Sequence, residues 1–247
     1  MLAVIGGSGL TRFSSLDVSH QEVVRTPFGE PSGALTFGRI GCQEVVFLAR
    51  HGYGHSIPPH LVNYRANIWA LAHGAKADRI VSVASVGGIR ADLSPGTVVV
   101  PHQIVDYTWG RHMTFFEGGD SRVVHVDFTE PYDGALRRRL MDAAARAEEA
   151  VRDGAVYAAT QGPRLETAAE IDRLERDGAD IVGMTGMPEA SLAREAEVPY
   201  AAICLVANWA AGRADSEHAI RFDDIEAVLE RSLGRVRNVI ERFCESD

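Results

Sequence analysis

Cysteine is scarce: Cys42, Cys204 and Cys244 are the three thiols in 247 residues, far apart and without metal-ligand spacing. An odd, scattered set argues against a disulfide framework and a zinc module, and points to a reduced, cytoplasmic protein. Positive charge is also short, with 25 Lys and Arg against 34 Asp and Glu for a formal net charge of -9. A polyphosphate partner needs a basic face, so nucleic acid is not expected as the main partner. No run approaches the roughly 20 apolar residues that cross a bilayer. The opening MLAVIGGSGL lacks the basic stretch and long apolar core of a secretory leader, and no membrane association is expected. Repeats, low-complexity tracts and long linkers are missing too. What is present is ordinary: 46% hydrophobic and 24% charged residues, the composition of a globular domain long enough to bury a core without staples.

Apolar runs alternate with helix-like stretches along the whole chain. Leu2–Ile5, Val45–Ala49 and Arg79–Val86 read as short buried strands. Thr97–Val100, Ala155–Thr160, Asp180–Val182 and Tyr200–Ala207 complete the candidate strands. Asn63–His73 gathers Ala66, Ile68, Trp69 and Leu71 toward one apolar face, and Asp133–Arg152 is rich in Ala, Leu and Arg with Gly154 as its stop. Thr167–Arg176 opens on a capping Thr with Glu170 three residues on. Pro188–Glu195 opens on a first-turn proline, and a last helix covers Asp223–Phe243. The segment His102–Tyr132 is aromatic and glycine-interrupted, and an irregular stretch of that size marks a functional loop or an interface. The expectation is one α/β domain over residues 1–247, three layers deep, with helices on both faces of a sheet.

Polar or glycine-rich segments stand at the ends of several of those strands. Gly6-Gly7-Ser8-Gly9 can cradle an anion on backbone N–H groups, with a hydroxyl from Ser8; a tight turn alone explains it as well. Arg12 occupies the third glycine position of a dinucleotide fingerprint, so that match fails, and no Walker ending is present. Arg50-His51-Gly52 follows the second strand, where open α/β sheets bind ligands. Arg brings a planar fork of donors suited to phosphate and His can add another, although a surface pair is the commoner occurrence. His55 and His60 follow, but Pro58 and Pro59 break any metal-binding helix between them. Ser85-Val86-Gly87-Gly88 leaves backbone room for a ring or phosphate, unless it is only a turn. Glu166, within Gln161–Thr167, either balances a helix dipole or aims a carboxylate into a cleft. Met184-Thr185 ends another strand, where methionine packs a core or lines an apolar face for a sugar or base. Asn208 ends the last apolar strand, and an amide can read a heterocycle's carbonyl and ring nitrogen together. Each segment is ambiguous alone; their convergence on strand ends is the stronger sign.

In order, IGGSGL, LARHGYGHSIPPHLVNYRANIWAL, SVGGIR, LSPGTVVVP, TQGPRLETAAEI and VGMTGMPEASLA resemble the trimeric purine nucleoside phosphorylase and methylthioadenosine phosphorylase superfamily over nearly the whole chain. The resemblance implies a mixed, distorted barrel-like central sheet flanked by helices. It also implies reversible phosphorolysis of an N-glycosidic bond, giving a free purine and a pentose 1-phosphate. Cleavage passes through an oxocarbenium-like sugar, so phosphate must lie under the anomeric carbon, where it stabilises charge and attacks. By resemblance Ser8, Arg50, His51 and Thr185 hold that phosphate, and Met184 lies beneath the ribose. The family often has a hydroxyl residue where Ala84 stands, so the contact there falls to Ser85 or to backbone. His51, Glu166 and Asn208 are implied in catalysis, with Gly87, Leu165, Ala210 and Ile225 around the substrate. No metal or organic cofactor is implied, inorganic phosphate being a co-substrate. A homotrimer or a dimer of trimers is implied, and His125 matches a position supplied across a subunit boundary.

The two ends of the implied substrate carry different affiliations. Methylthioadenosine phosphorylases of the family have an Asp-x-Asp pair where Asn208-Trp209-Ala210 stands, suited to N7 and a 6-amino group. An amide at Asn208 suits a 6-oxopurine instead, donating to O6 and sharing a hydrogen bond with N7. Glu166 agrees, because 6-oxopurine members have Glu in the matching position, accepting from N1–H. Adenine N1 would meet it acceptor to acceptor, a mismatch costing about 1–3 kcal/mol. At the sugar end, nucleoside phosphorylases place a His-Glu-Glu-Val segment where Phe222-Asp223-Asp224-Ile225 stands, fourteen residues after Asn208. Phe cannot bond a 5′-hydroxyl, but it packs on a methylthio group. The expected substrate is S-methyl-5′-thioinosine, split to hypoxanthine and 5-methylthioribose 1-phosphate. A methylthioadenosine phosphorylase and a general inosine/guanosine phosphorylase are the near alternatives. A silent nucleoside-binding homologue would be expected to lose Arg50, His51 or Thr185, and all are present.

Overall fold

The computed structural model describes residues 1–10, 13–119 and 122–245, so Arg12 lies outside the described residues. Among them, 11 strands join in a single sheet. In chain order these are β1 (Leu2–Gly6), β2 (Asp17–Glu22), β3 (Leu35–Ile40), β4 (Gln43–Ala49), β5 (Arg79–Gly88), β6 (Val98–Val100), β7 (Gln103–Asp106), β8 (Val151–Asp153), β9 (Val156–Ala159), β10 (Ile181–Gly183) and β11 (Tyr200–Trp209). The α-helices are α1 (Tyr64–Trp69), α2 (Gly134–Arg146), α3 (Ala168–Arg176), α4 (Gly186–Glu195) and α5 (Phe222–Cys244). None is long and apolar enough to cross a membrane.

Strands covered on both faces read as continuous aliphatic runs, and Leu2, Ala3, Val4 and Ile5 of β1 are all fully buried. Side-chain alternation then sorts the core into layers. Leu2, Val4, Phe47, Val81 and Val83 pack with Leu136 and Leu140 of α2 and Val236 and Val239 of α5. Ala3, Ile5, Val46, Leu48 and Ile80 pack on the other face with Ile68 of α1 and Ala190 and Leu192 of α4. A smaller cluster sets Ile171 and Leu174 of α3 against Ala158 and Val182. The expected three-layer α/β arrangement is the observed one.

The sheet is mixed, and it divides at β5. Along one edge β5 pairs in parallel with β11 for nearly its whole length. On the opposite edge β1 takes Arg79–Ser82 in parallel, while β10 takes Gly87 and Gly88 antiparallel. Among the described residues no strand lies beside Val83–Val86 there, so a cleft opens between β1 and β10. A register shift at Ala207 sets Val206 against Val86 but Asn208 against Gly87. Such a bulge bends its strand and re-aims the side chains beyond it.

Several boundaries differ from the sequence expectation, each for a local reason. The helix expected over Asp133–Arg152 ends at Arg146; Glu148 adopts a φ of 56° and Val151–Asp153 pairs with β6. Its Ala-rich composition favours helix, but the open edge of β6 satisfies the backbone of the residues beyond it. Gly154 therefore follows a strand. Asn63 caps α1 rather than joining it, accepting from the Ala66 N–H, and residues 70–74 continue as a π turn. The Thr167–Glu170 capping box forms as expected. In α4, Met187 and Pro188 are non-helical, and the regular turns follow them. β5 extends through Gly88, so Gly87 is in a strand and not past one. β2 carried no strand signal because it is exposed throughout, and neither face imposes an apolar alternation. The segment His102–Tyr132 begins as β7 and is otherwise irregular among its described residues.

Candidate active site

A cavity of about 630 Å³ fills the cleft between β1 and β10, a volume suited to a small organic ligand. Ser8, Arg50, His51, Ala84, Ser85, Gly87, Leu165, Glu166, Met184, Thr185, Asn208, Ala210, Phe222 and Ile225 all line it. His125 does not, and its side chain is exposed.

The polar end is built where β1 and β4 stop. Gly7 has to be glycine: a Cβ there would stand 2.6 Å from the Val83 carbonyl and 3.0 Å from Arg50 Nη1. Ser8, the next residue, lines the cavity together with Arg50. Arg50 and His51 are buried, at 1% and 7% exposure, which removes the surface-pair reading. The guanidinium fork does not face the cavity, however. Its Nε and Nη2 donate to Glu189 Oε2 and Oε1 at 2.7 and 2.9 Å, so the bidentate contact expected for phosphate is made to a carboxylate of α4. Burial alone would drive Arg50 toward neutrality, but the Glu189 charge outweighs it and holds the guanidinium protonated.

His51 departs from the expectation in the same direction. Its Nδ1 lies 2.8 Å from the Ile57 carbonyl; since a carbonyl only accepts, Nδ1 carries the proton. Burial, aided by the Arg50 charge, pushes the ring down to about 4. At neutral pH the imidazole is uncharged and presents Nε2 as an acceptor, not as a second donor. Thr185, at the end of β10, is buried, and its side chain makes no capping bond to α4.

The other end is framed by β9 and β11. Glu166 Oε1 accepts from the Thr160 hydroxyl at 2.6 Å, which fixes the carboxylate and leaves Oε2 for a ligand. Asn208, re-aimed by the bulge, donates one Nδ2–H to its neighbour's carbonyl, Trp209 O, at 2.7 Å. The second N–H and Oδ1 are left for a ligand. Between the ends, Met184 packs against Gly162, whose Cβ would stand 2.4 Å from Met184 Sδ. Along the third side, Phe222, Ile225 and Leu229 form an apolar wall from α5. Phe222 is nonetheless 66% exposed, at the mouth.

Besides Glu189, two contributions escaped the sequence reading. Leu229 was legible in principle, because it stands on the same helical stripe as Phe222 and Ile225. Arg111 was not. From the irregular segment it donates to the carbonyls of Thr160, Gln161, Met184 and Met187 at 3.2, 2.9, 2.9 and 2.5 Å. It thereby ties together the ends of β9 and β10, which carry Glu166 and Thr185. Among the described residues, no group of three or more His, Cys, Asp or Glu is placed to hold a metal ion.

Comparison with known proteins shows the family. A model of the phosphorylase superfamily matches residues 1–245. A Pseudomonas syringae pv. tomato protein named probable S-methyl-5′-thioinosine phosphorylase is 52% identical over 244 residues, covering 99% of this chain and 98% of that one. The 6-oxopurine nucleoside phosphorylase of Pyrococcus furiosus is 46% identical over 216 residues, covering 85% of this chain and 80% of that one. A solved methylthioadenosine phosphorylase from Schistosoma mansoni, in complex with adenine, has a TM-score of 0.94 at 33% identity, covering 99% of this chain and 90% of that one. With the family model matched over residues 1–245 and the fold shared over 99% of its length, the chain belongs to the phosphorylase superfamily.

Proposed function

We propose that the protein cleaves S-methyl-5′-thioinosine with inorganic phosphate, releasing hypoxanthine and 5-methylthioribose 1-phosphate. One observation carries the reading: a single cavity joins an amide and a carboxylate, Asn208 and Glu166, to the apolar wall of Phe222, Ile225 and Leu229. The first pair suits a 6-oxopurine and the wall suits a methylthio group. The relatives named for methylthioinosine and for 6-oxopurine nucleosides support the same two halves.

In this mechanism phosphate sits among Ser8, Arg50, Ser85 and Thr185, with backbone at Ala84, below the sugar. His51 accepts the hydrogen of a protonated phosphate oxygen through Nε2. Met184 supports the ribose. As the glycosidic bond breaks, the sugar gains positive charge that the phosphate beneath it stabilises before attacking the anomeric carbon. Asn208 donates to the purine O6 and N7 edge, where negative charge collects, and Glu166 accepts from N1–H. Gly87, Leu165 and Ala210 shape the slot for the base. No metal or organic cofactor enters the scheme, because phosphate itself is the second reactant.

The working form under this reading is a homotrimer or a dimer of trimers in the cytoplasm. Exposure of His125 in the lone protomer fits a residue that serves a neighbouring copy. Phosphate-dependent turnover of methylthioinosine, methylthioadenosine, inosine and adenosine, with the base identified, tests the substrate. Preference for methylthioadenosine would sink the roles of Asn208 and Glu166 while sparing the apolar wall.

A further inference from the structure

Arginine has five N–H donors, and the protein engages four of those on Arg50. Besides the two bonds to Glu189, Nη2 donates to Ser82 Oγ at 2.6 Å and Nη1 to the Val83 carbonyl at 3.1 Å. Among the described residues one Nη1 hydrogen is left without a partner, on the atom that would stand 3.0 Å from a Cβ at Gly7, and Gly7, Ser8 and Arg50 all line the cavity. Glu189 is itself 0% exposed and is held from two further sides: Oε1 accepts from Ser82 Oγ and from Tyr200 OH, each at 2.8 Å. Neither Glu189, Ser82 nor Tyr200 lines the cavity.

We infer that Glu189, clamped by Ser82 and Tyr200, is the positioning residue that aims the remaining Nη1–H of Arg50 into the phosphate end of the cavity. The inference rests on the phosphorolysis reading above. A buried ion pair is weak evidence of stabilisation, since apolar side chains of equal volume do as well. What it does provide is direction. A long flexible side chain becomes a fixed donor, and its charge is balanced before the anion arrives. The phosphate then meets one oriented N–H rather than a mobile cation, and keeps its own charge for the sugar.

The test measures half-saturation separately for phosphate and nucleoside, with the phosphate-induced rise in Tm as a readout that needs no turnover. In Glu189→Gln the amide N–H₂ faces donors, Arg50 loses its fixed direction, and half-saturation by phosphate rises at least about 10-fold. Nucleoside half-saturation stays within about 2-fold, and the Tm rise with phosphate shrinks. Ser82→Ala and Tyr200→Phe, which each remove one bond to Oε1, give a smaller rise of about 3-fold and decide the matter if Glu189→Gln does not fold. Unchanged phosphate half-saturation, or equal shifts for both substrates, overturns the inference. A wild-type protein with neither phosphate-dependent base release nor a phosphate-dependent Tm would instead overturn the phosphorolysis reading, and the inference with it.

Discussion

Arg111 Nη1 donates to the Met184 carbonyl at 2.9 Å across 73 residues of sequence. The same guanidinium reaches Thr160, Gln161 and Met187, so one side chain from an irregular segment fixes two strand ends at once. Arg111→Ala leaves those carbonyls without a donor, at a cost of about 1–3 kcal/mol for each that water cannot reach. We expect a fall of several degrees in Tm and a loss of kcat/KM of about 10-fold or more. Arg111→Lys, with one compact ammonium, recovers only part of either. Unaltered kinetics in Arg111→Ala would show that the strand ends hold themselves.

Asn208→Asp should move the enzyme toward 6-amino substrates. A carboxyl group at this position suits N7 and the 6-amino edge, so the methylthioadenosine to methylthioinosine ratio of kcat/KM rises by about 10-fold. A ratio that does not move counts against base reading by Asn208.

Phe222→His should favour inosine over methylthioinosine. The imidazole bonds a 5′-hydroxyl and packs less well on sulfur, and a gain of about 3- to 10-fold in the inosine preference is expected. An unchanged preference would place Phe222 outside the 5′ site.

Acidification should destabilise the folded chain through His51. Its pKa is lowered from 6.5 to about 4 by burial and then by the Arg50 charge. Between these values the unfolded chain binds a proton that the folded chain refuses, so stability falls as pH drops from about 6.5 to about 4. The full loss is roughly 2–4 kcal/mol, with no further change from this group at lower pH. Urea unfolding at pH 7 and pH 4.5 measures it, and His51→Gln should flatten the difference. An equal pH slope in that variant would assign the effect to other groups.

Much of the fold was legible because the central strands are aliphatic on both faces and stop at glycine or polar residues. Gly6-Gly7-Ser8, Arg50-His51 and Met184-Thr185 interrupt such runs, and the interruption is what marked them. Glu189 was invisible for the opposite reason: it is one of two acids in α4, and its partner lies 139 residues away. Nothing local distinguishes it from a solvated carboxylate. Arg111 sits where no periodicity exists to say which way a side chain points. The tautomer of His51 depends on the Ile57 carbonyl, which only the folded loop brings near. Sequence found the groups that line the cavity more readily than those that hold them.

The bulge at Ala207 separates two demands made on β11. Up to Val206 the strand obeys the alternation that its buried neighbours on both faces impose, and a change there disturbs packing on one side or the other. Beyond the extra residue that parity is broken, and Asn208 turns to the cavity, while Ala210 both lines it and packs with Ala158 and Ile171. The Asn208 side chain is thus released from the alternation that governs the strand behind it. Under the proposed reading, specificity for the base can drift by single substitutions at Asn208 while the aliphatic run behind it stays as it is, so one scaffold can serve purines with different edges.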